Sequence, residues 1–294
     1  MRVRRDREGV HIDGPSRVRN RRLGTDSGTP TVAGTASLTF LVIDSFSSTA
    51  TKALTLTVNP ARGGSVALDT LGPSSGGASV SSSASLSWTH VMGSGSNTLL
   101  TVGVAVGVRS GADGSYSVAA RDKGVAMVSA GRVDAGNDGH DFAQLVYLLS
   151  LPSGSNTLQV TLTGGIADLV GGKMSFTGVN ATTPVRDVTT GTGISTSASA
   201  TASSAPGDMV VDVLATGTSV TSSKQTLRWK KNLNASSGAG NGAQSTAAGA
   251  SSVTMGYAVP SDDWALIAMD VVHQQYSRHP RTPATRLVQV LGAA

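Results

Sequence analysis

Val102, Val104, Val106 and Val108 stand two residues apart, with Gly103, Ala105 and Gly107 between them. A period of two is that of a β-strand, so the valines share one face and the small residues the other. This pattern suits a strand in the middle of a sandwich, with its bulky face on the core and its small face closely covered. The polar turn in front of it, Ser-Gly-Ser-Asn-Thr-Leu at 94–99, recurs at 153–158, so the same six residues launch two strands.

Alternation and turn residues predict about a dozen short strands between residues 65 and 272. They fall near 65–70, 79–90, 97–108, 116–119, 125–133, 143–149, 156–164, 172–176, 195–202, 208–215, 224–232, 252–259 and 263–272. Gly and Pro clusters separate them, among them Gly72-Pro73, residues 136–139, Pro206-Gly207, residues 238–242 and Pro260. No 12-residue helical period appears, and with six Lys and Glu8 as the only Glu, long charged helix formers are scarce. The fold class expected is all-β, a large antiparallel β-sandwich. At this size a jelly-roll-like arrangement is favoured over an immunoglobulin sandwich of about 100 residues. The strand order stays open.

The pI of about 9.8 suggests a nucleic-acid partner until its origin is traced. Residues 1–22 hold eight Arg against Asp6, Glu8 and Asp13, and residues 273–294 add Arg278, Arg281 and Arg286 without an acid. Subtracting these +5 and +3 from the total of +5 leaves −3 for residues 23–272. The basicity lies in the two ends, where a nucleic-acid domain would carry it on a folded face among aromatics, so no nucleic-acid partner is expected. No apolar run approaches the roughly 18 residues of a membrane helix, so no membrane insertion is expected either. The chain has no Cys, which removes disulfides, thiolate nucleophiles and Cys-ligated zinc together. The expected organisation is a basic disordered arm at 1–23, a small β-unit at 24–60, a linker at 61–64, the sandwich at 65–272 and a basic tail at 273–294.

In the small unit, SGTPTVAGT at 27–35 and ALTLTVNP at 53–60 carry a resemblance. Residues 27–60 resemble the C-terminal half of the immunoglobulin-like (cadherin-like) repeats of large bacterial surface proteins. The Arg-rich segment stands where that family's first strands belong, so the immunoglobulin-like unit looks truncated. Residues 65–272 resemble an uncharacterised β-sandwich module found beside such repeats. The resemblance rests on Trp88-Thr89-His90, YLLSLPSG at 147–154, MSFTGVN at 174–180 and GDMVVDV at 207–213. It implies an extracellular or cell-surface setting and no activity.

Chemistry is sparse. The loop holding Asp134, Asn137, Asp138 and Asp141 is the densest set of oxygen ligands, and calcium is the cation such a loop could hold. An Asn-Asp-Gly turn needs the same residues and is the favoured explanation, so no cofactor is required. A glycosidase needs two carboxylates across a scissile bond, and no pair stands out by spacing. No His pair has zinc spacing and no Gly-x-Ser-x-Gly elbow occurs. Isopeptide self-linking usually uses a Glu, which the module lacks. For sugar binding, Trp88 and Trp264 sit in alternating strands and are expected in the core. Trp229, flanked by Arg228 and Lys230, is the best candidate for an exposed ring, with Lys230 and Tyr116 beside it as ligand-binding candidates. The expected function is a non-catalytic extracellular structural or adhesive module, with glycans or neighbouring immunoglobulin-like modules as partners. A carbohydrate-binding module attached to a secreted hydrolase is the alternative, and an Asp-dependent hydrolase a third.

Overall fold

The computed structural model describes residues 2–6, 9–13, 34–43, 48–58, 64–74, 76–108, 113–135, 141–233 and 240–274. They are almost entirely β-strand, and among them no helix is long and apolar enough to cross a membrane. The chain divides into two compact units, residues 1–62 and 63–294.

In the first unit, β1 (Arg2–Asp6) pairs antiparallel with β2 (Gly9–Asp13), and β3 (Gly34–Ile43) with β4 (Thr49–Val58). The first ribbon falls in the segment expected to be an irregular arm. A two-stranded ladder is held by backbone groups, and so leaves no apolar period to read.

The second unit continues with β5 (Ala67–Gly72), β6 (Ala78–Ser83), β7 (Ser85–Met92), β8 (Leu99–Gly107), β9 (Ser117–Asp122), β10 (Val125–Ala126), β11 (Val128–Asp134) and β12 (Asp141–Leu149). There follow β13 (Gly154–Thr163), β14 (Ala167–Thr177), β15 (Val185–Ala202), β16 (Met209–Thr216), β17 (Ser222–Ser223), β18 (Thr226–Asn232), β19 (Asn241–Ala248) and β20 (Val253–Val271). They form three antiparallel sheets. An outer sheet has the order β10-β9-β13-β7. A middle sheet has β11-β12-β8-β14-β5 with β6 also on β14, and a third has β15-β20-β16-β19-β18 with β17 on β20. This is an all-β antiparallel sandwich of three stacked sheets.

The middle sheet explains the valine pattern. β8 is buried along its whole length. Leu100, Val102, Val104, Val106 and Val108 pack with Leu86, Trp88, Leu158 and Val160 of the outer sheet. The other face of β8 meets the third sheet across its small residues. A Cβ added to Gly103 would sit 2.9 Å from both Val213 Cβ and Gln244 Cδ, so the two sheets approach as closely as glycine permits.

β15 and β20 are long enough to serve twice. Their pairing slips between Ser195 and Ser197, opposite Pro260, and both strands turn over there together. The start and end of β15 then meet: Ser203 N donates to Asp187 Oδ2 at 2.5 Å. The distal halves lie over the outer face of their own sheet and enclose a core of Val210, Leu214, Met255, Tyr257, Trp264 and Leu266. Pro260, read as a stop between two strands, sits at this bulge, where a missing N–H does no harm. β19 was not expected at all. NGAQSTAA has no aliphatic branched or aromatic residue, its one β-branched side chain being Thr246, yet the first six of its residues are buried, because Gly242 must pass Ala105 of β8 at van der Waals limits.

The first and last described residues of this unit, near 65 and 274, come together. Val66 N donates to Gly207 O at 2.8 Å, and the His273 ring packs on Gly207. Gln274 N donates to Gly178 O at 2.7 Å, and Ser65 O packs on Gly178. Gly207 (φ 97°) and Gly178 (φ 72°) both hold positive φ, which lets the backbones meet without a Cβ between them.

Candidate functional site

Trp229 is buried, with 1% of its surface exposed, which overturns the exposed ring expected from the sequence. Its indole lies in a slot floored by glycines: a Cβ on Gly172 would overlap the ring, and one on Gly77 would touch it at 3.1 Å. Trp229 Nε1 donates to Gln244 Oε1 at 2.7 Å. The flanking cations misled because, in a strand, residues one apart point to opposite faces. Lys230 marks the face that Trp229 does not occupy, whereas Arg228 sits at a bulge in the β18–β19 ladder and its Nε donates to Thr246 Oγ1 at 2.8 Å. Lys230 is half-buried, its Nζ directed to Thr221 O at 3.4 Å. Tyr116 is half-buried against the core between outer and middle sheets, whereas Trp229 belongs to the core on the other side of the middle sheet. These three residues share no platform. Trp88 and Trp264 are buried, as their alternation predicts.

The acidic loop is likewise divided. Asp134 is exposed and accepts from Arg132 Nε at 2.6 Å, while Asp141 is fully buried at the start of β12. Asn137 and Asp138 lie outside the described residues. Ala135 N donates to Asp141 O at 2.8 Å and closes the base of the loop. Asp141 and Asp168 both pair with Gly107, so two buried carboxylates flank a residue without a side chain. Among the described residues, no three His, Asp or Glu side chains converge as a metal-ligand set.

Other polar groups are turned inward and joined into networks that tie strands together. Asp212, fully buried on β16, accepts from Tyr257 OH (2.8 Å), Ser245 N (2.7 Å), Ser245 Oγ (2.8 Å) and Gln225 Nε2 (3.1 Å). Burial pushes its pKa up to about 7 against the pull of those four donors. Burial, and then the Asp212 charge, raise the Tyr257 hydroxyl well above its ordinary value. Where the unit's ends meet, Arg186 Nη2 bridges Asp208 (2.5 Å) and Asp270 (2.7 Å). Ser204 Oγ donates to Asp270 at 2.6 Å, and His273 Nδ1 lies 2.5 Å from Asp208. Burial, joined by the Asp208 charge, raises Asp270 to about 6. Between the outer and middle sheets His90 Nε2 lies 2.5 Å from Asp122, which also accepts from Asn156 at 3.2 Å. Lys173, buried on β14, donates to Thr70 Oγ1 and to Val91 O (2.8 Å), and burial lowers it to about 8 against the charges of Asp69 and Asp122.

One polar group of side chains does face solvent together. A recess of about 350 Å³ on the outer sheet is lined by Ser87, Arg121, Lys123, Gly124, Thr157 and Gln159. Its rim is the two-residue hairpin loop between β9 and β10, in which Lys123 (φ 48°) and Gly124 (φ 82°) both lie in the left-handed region, as a type I′ turn requires. Lys123 N donates to Thr157 O at 3.0 Å, which fixes the loop to β13. Arg121 Nη1 donates to Gly124 O at 3.0 Å, which holds the guanidinium at the rim. Register places Gln159 between Arg121 and Ser87, at the floor. Sequence reasoning passed over these residues because they come from three separate strands. The Asp-Lys-Gly turn at 122–124 was the one local signal.

Compared with protein-family models, curated proteins and solved structures, the chain matches none.

Proposed function

We propose that residues 64–274 form a non-catalytic contact lobe, a structural or adhesive module that a longer chain carries to its side. The observation that carries this reading is the meeting of residues 65–66 with residues 273–274 at Gly178 and Gly207, the two ends of the stretch 64–274. An in-line spacer separates its ends by the length of its strands. A module whose ends touch adds almost no length and projects its far surfaces away from the chain that bears it. The inward-turned Asp, His and Lys clusters agree with this, since most of their polar atoms are engaged in joining strands, His90 Nδ1 excepted. The setting we infer is extracellular, on the strength of the resemblance in residues 27–60.

Beads coated with the full chain test it. Under flow they should remain on polysaccharide- or matrix-coated glass longer than beads bearing the same chain heat-unfolded, a control that retains the Arg-rich ends. Equal retention of folded and unfolded coats would remove the adhesive reading. A carbohydrate-binding role is the second reading, and the outer-sheet recess favours it.

A further inference from the structure

We propose that the recess on the outer sheet is a binding site for an acidic polysaccharide, with Arg121 and Lys123 taking the anionic group and Ser87, Thr157 and Gln159 the sugar hydroxyls. The proposal rests on the contact-lobe reading and names its ligand.

Charge is the first argument. Residues 64–274 hold thirteen Asp against ten Lys and Arg, so the unit as a whole is acidic. The outward-pointing residues around the recess are nevertheless Ser85, Ser87 and Thr89 on β7, Ser155, Thr157, Gln159 and Thr161 on β13, and Ser117, Ala119 and Arg121 on β9. None is an acid, and Lys123 stands at the rim. The one carboxylate of these strands, Asp122, is fully buried with His90. Two cations thus stand on an acid-free face of an acidic body, which focuses positive potential on the recess.

Placement is the second argument. Arg121 stands on β9 and Lys123 in the turn that follows it; Lys123 N to Thr157 O fixes the turn's backbone and Arg121 Nη1 to Gly124 O holds the guanidinium, so little of that group's freedom is lost when an anion arrives. The volume of about 350 Å³ falls at the small end of ligand sites, suited to one or two sugar rings. The lining supplies hydroxyl and amide groups that both donate and accept, as sugar hydroxyls require. No aromatic ring is among the lining residues, so the site offers no stacking surface for nucleobases or sugar rings, and its ligand is held by charge and hydrogen bonds alone.

The test uses the full chain and its Arg121→Gln/Lys123→Asn variant. Asn at 123 tolerates the positive φ of the turn, so the variant should melt within a degree or two of the parent. Binding to immobilised dextran sulfate, neutral dextran and single-stranded DNA is measured at about 0.1 M salt. The expected result is dextran sulfate binding that weakens about tenfold in the variant, the scale of two exposed charge contacts. Unchanged dextran sulfate binding in the variant would place the charge contact in the Arg-rich ends and overturn the site. Neutral dextran bound as well as dextran sulfate overturns the acidic class while leaving the contact lobe standing, as does tighter binding of DNA. Binding to none of the three overturns the site, and bead retention under flow then decides the contact lobe separately.

Discussion

Asp212 gives the sharpest test of the third sheet. Its carboxyl is fully buried between β16 and the folded-back half of β20, and its pKa stands at about 7 against 3.8 for an exposed aspartate. The group is therefore harder to ionise in the folded chain than in the unfolded one. Between about pH 4 and pH 7 the unfolded chain has lost this proton and the native chain keeps it, so native structure binds more protons and stability falls as pH rises. Below pH 4 the contribution is fully present. At about 1.4 kcal/mol per pKa unit the shift corresponds to roughly 4 kcal/mol across the window. Asp212→Asn removes the titration and keeps one carbonyl oxygen for Tyr257 and Ser245, but turns an NH2 group toward Gln225 Nε2. The variant should be less stable than the parent at pH 4.5 by about 1–3 kcal/mol, the cost of one unsatisfied buried donor. The gap should close by pH 7.5. Urea unfolding at half-unit steps from pH 4.5 to 8, followed by far-UV circular dichroism, measures both curves. Asp270, raised to about 6, tilts both in the same direction and cancels in their difference. Parallel curves, with a constant gap at every pH, would show that Asp212 ionises freely and that the fold-back does not seal it from water.

Other outcomes follow from the same packing. Trp229→Ala should destabilise the unit by about 3–5 kcal/mol, as for a large buried aromatic, and shift the urea midpoint without a new binding phenotype. Gly172→Ala, which drives a methyl into the Trp229 ring, should cost about 1–3 kcal/mol and change the indole fluorescence of the native state. Lys173 has a folded pKa of about 8, below its unfolded value of 10.5, so its native form releases the proton first. Stability should accordingly rise between about pH 8 and pH 10.5, and Lys173→Met should flatten that rise, as read from urea midpoints.

Where alternation ran through large residues, the sequence was legible. The valines of β8 were assigned to one face and its glycines to a closely covered face, and both faces are found so. The alternating Ser85–Met92 strand also reads directly, with Leu86, Trp88, His90 and Met92 turned inward. The third sheet was harder. β19 is composed of small and polar residues because it lies under Trp229 and beside β8, and such residues look like a loop when their neighbours are unknown. The first half of β15 escaped for a related reason: one side of it is exposed, and Gly191 and Gly193 lie against the Trp264 ring from β20. Trp229 was misjudged from its chain neighbours, although only its sheet neighbours determine its face. The recess was illegible because no two of its strands adjoin in sequence except through the Lys123-Gly124 turn.

The meeting of the unit's ends has a mechanical consequence. Ala67, the first residue of β5, pairs with Thr177 next to Gly178, and β5 is an edge strand of the middle sheet. Tension on Ser65 and Gln274 therefore opens rungs singly from that corner and does not load the ladder in shear. In force spectroscopy the lobe should yield at low force in an unzipping pattern. Once open, residues 66–272 would release on the order of 700 Å of chain. A tethered chain with such a loop behaves as a line with stored slack, short at rest and extensible under a sudden pull.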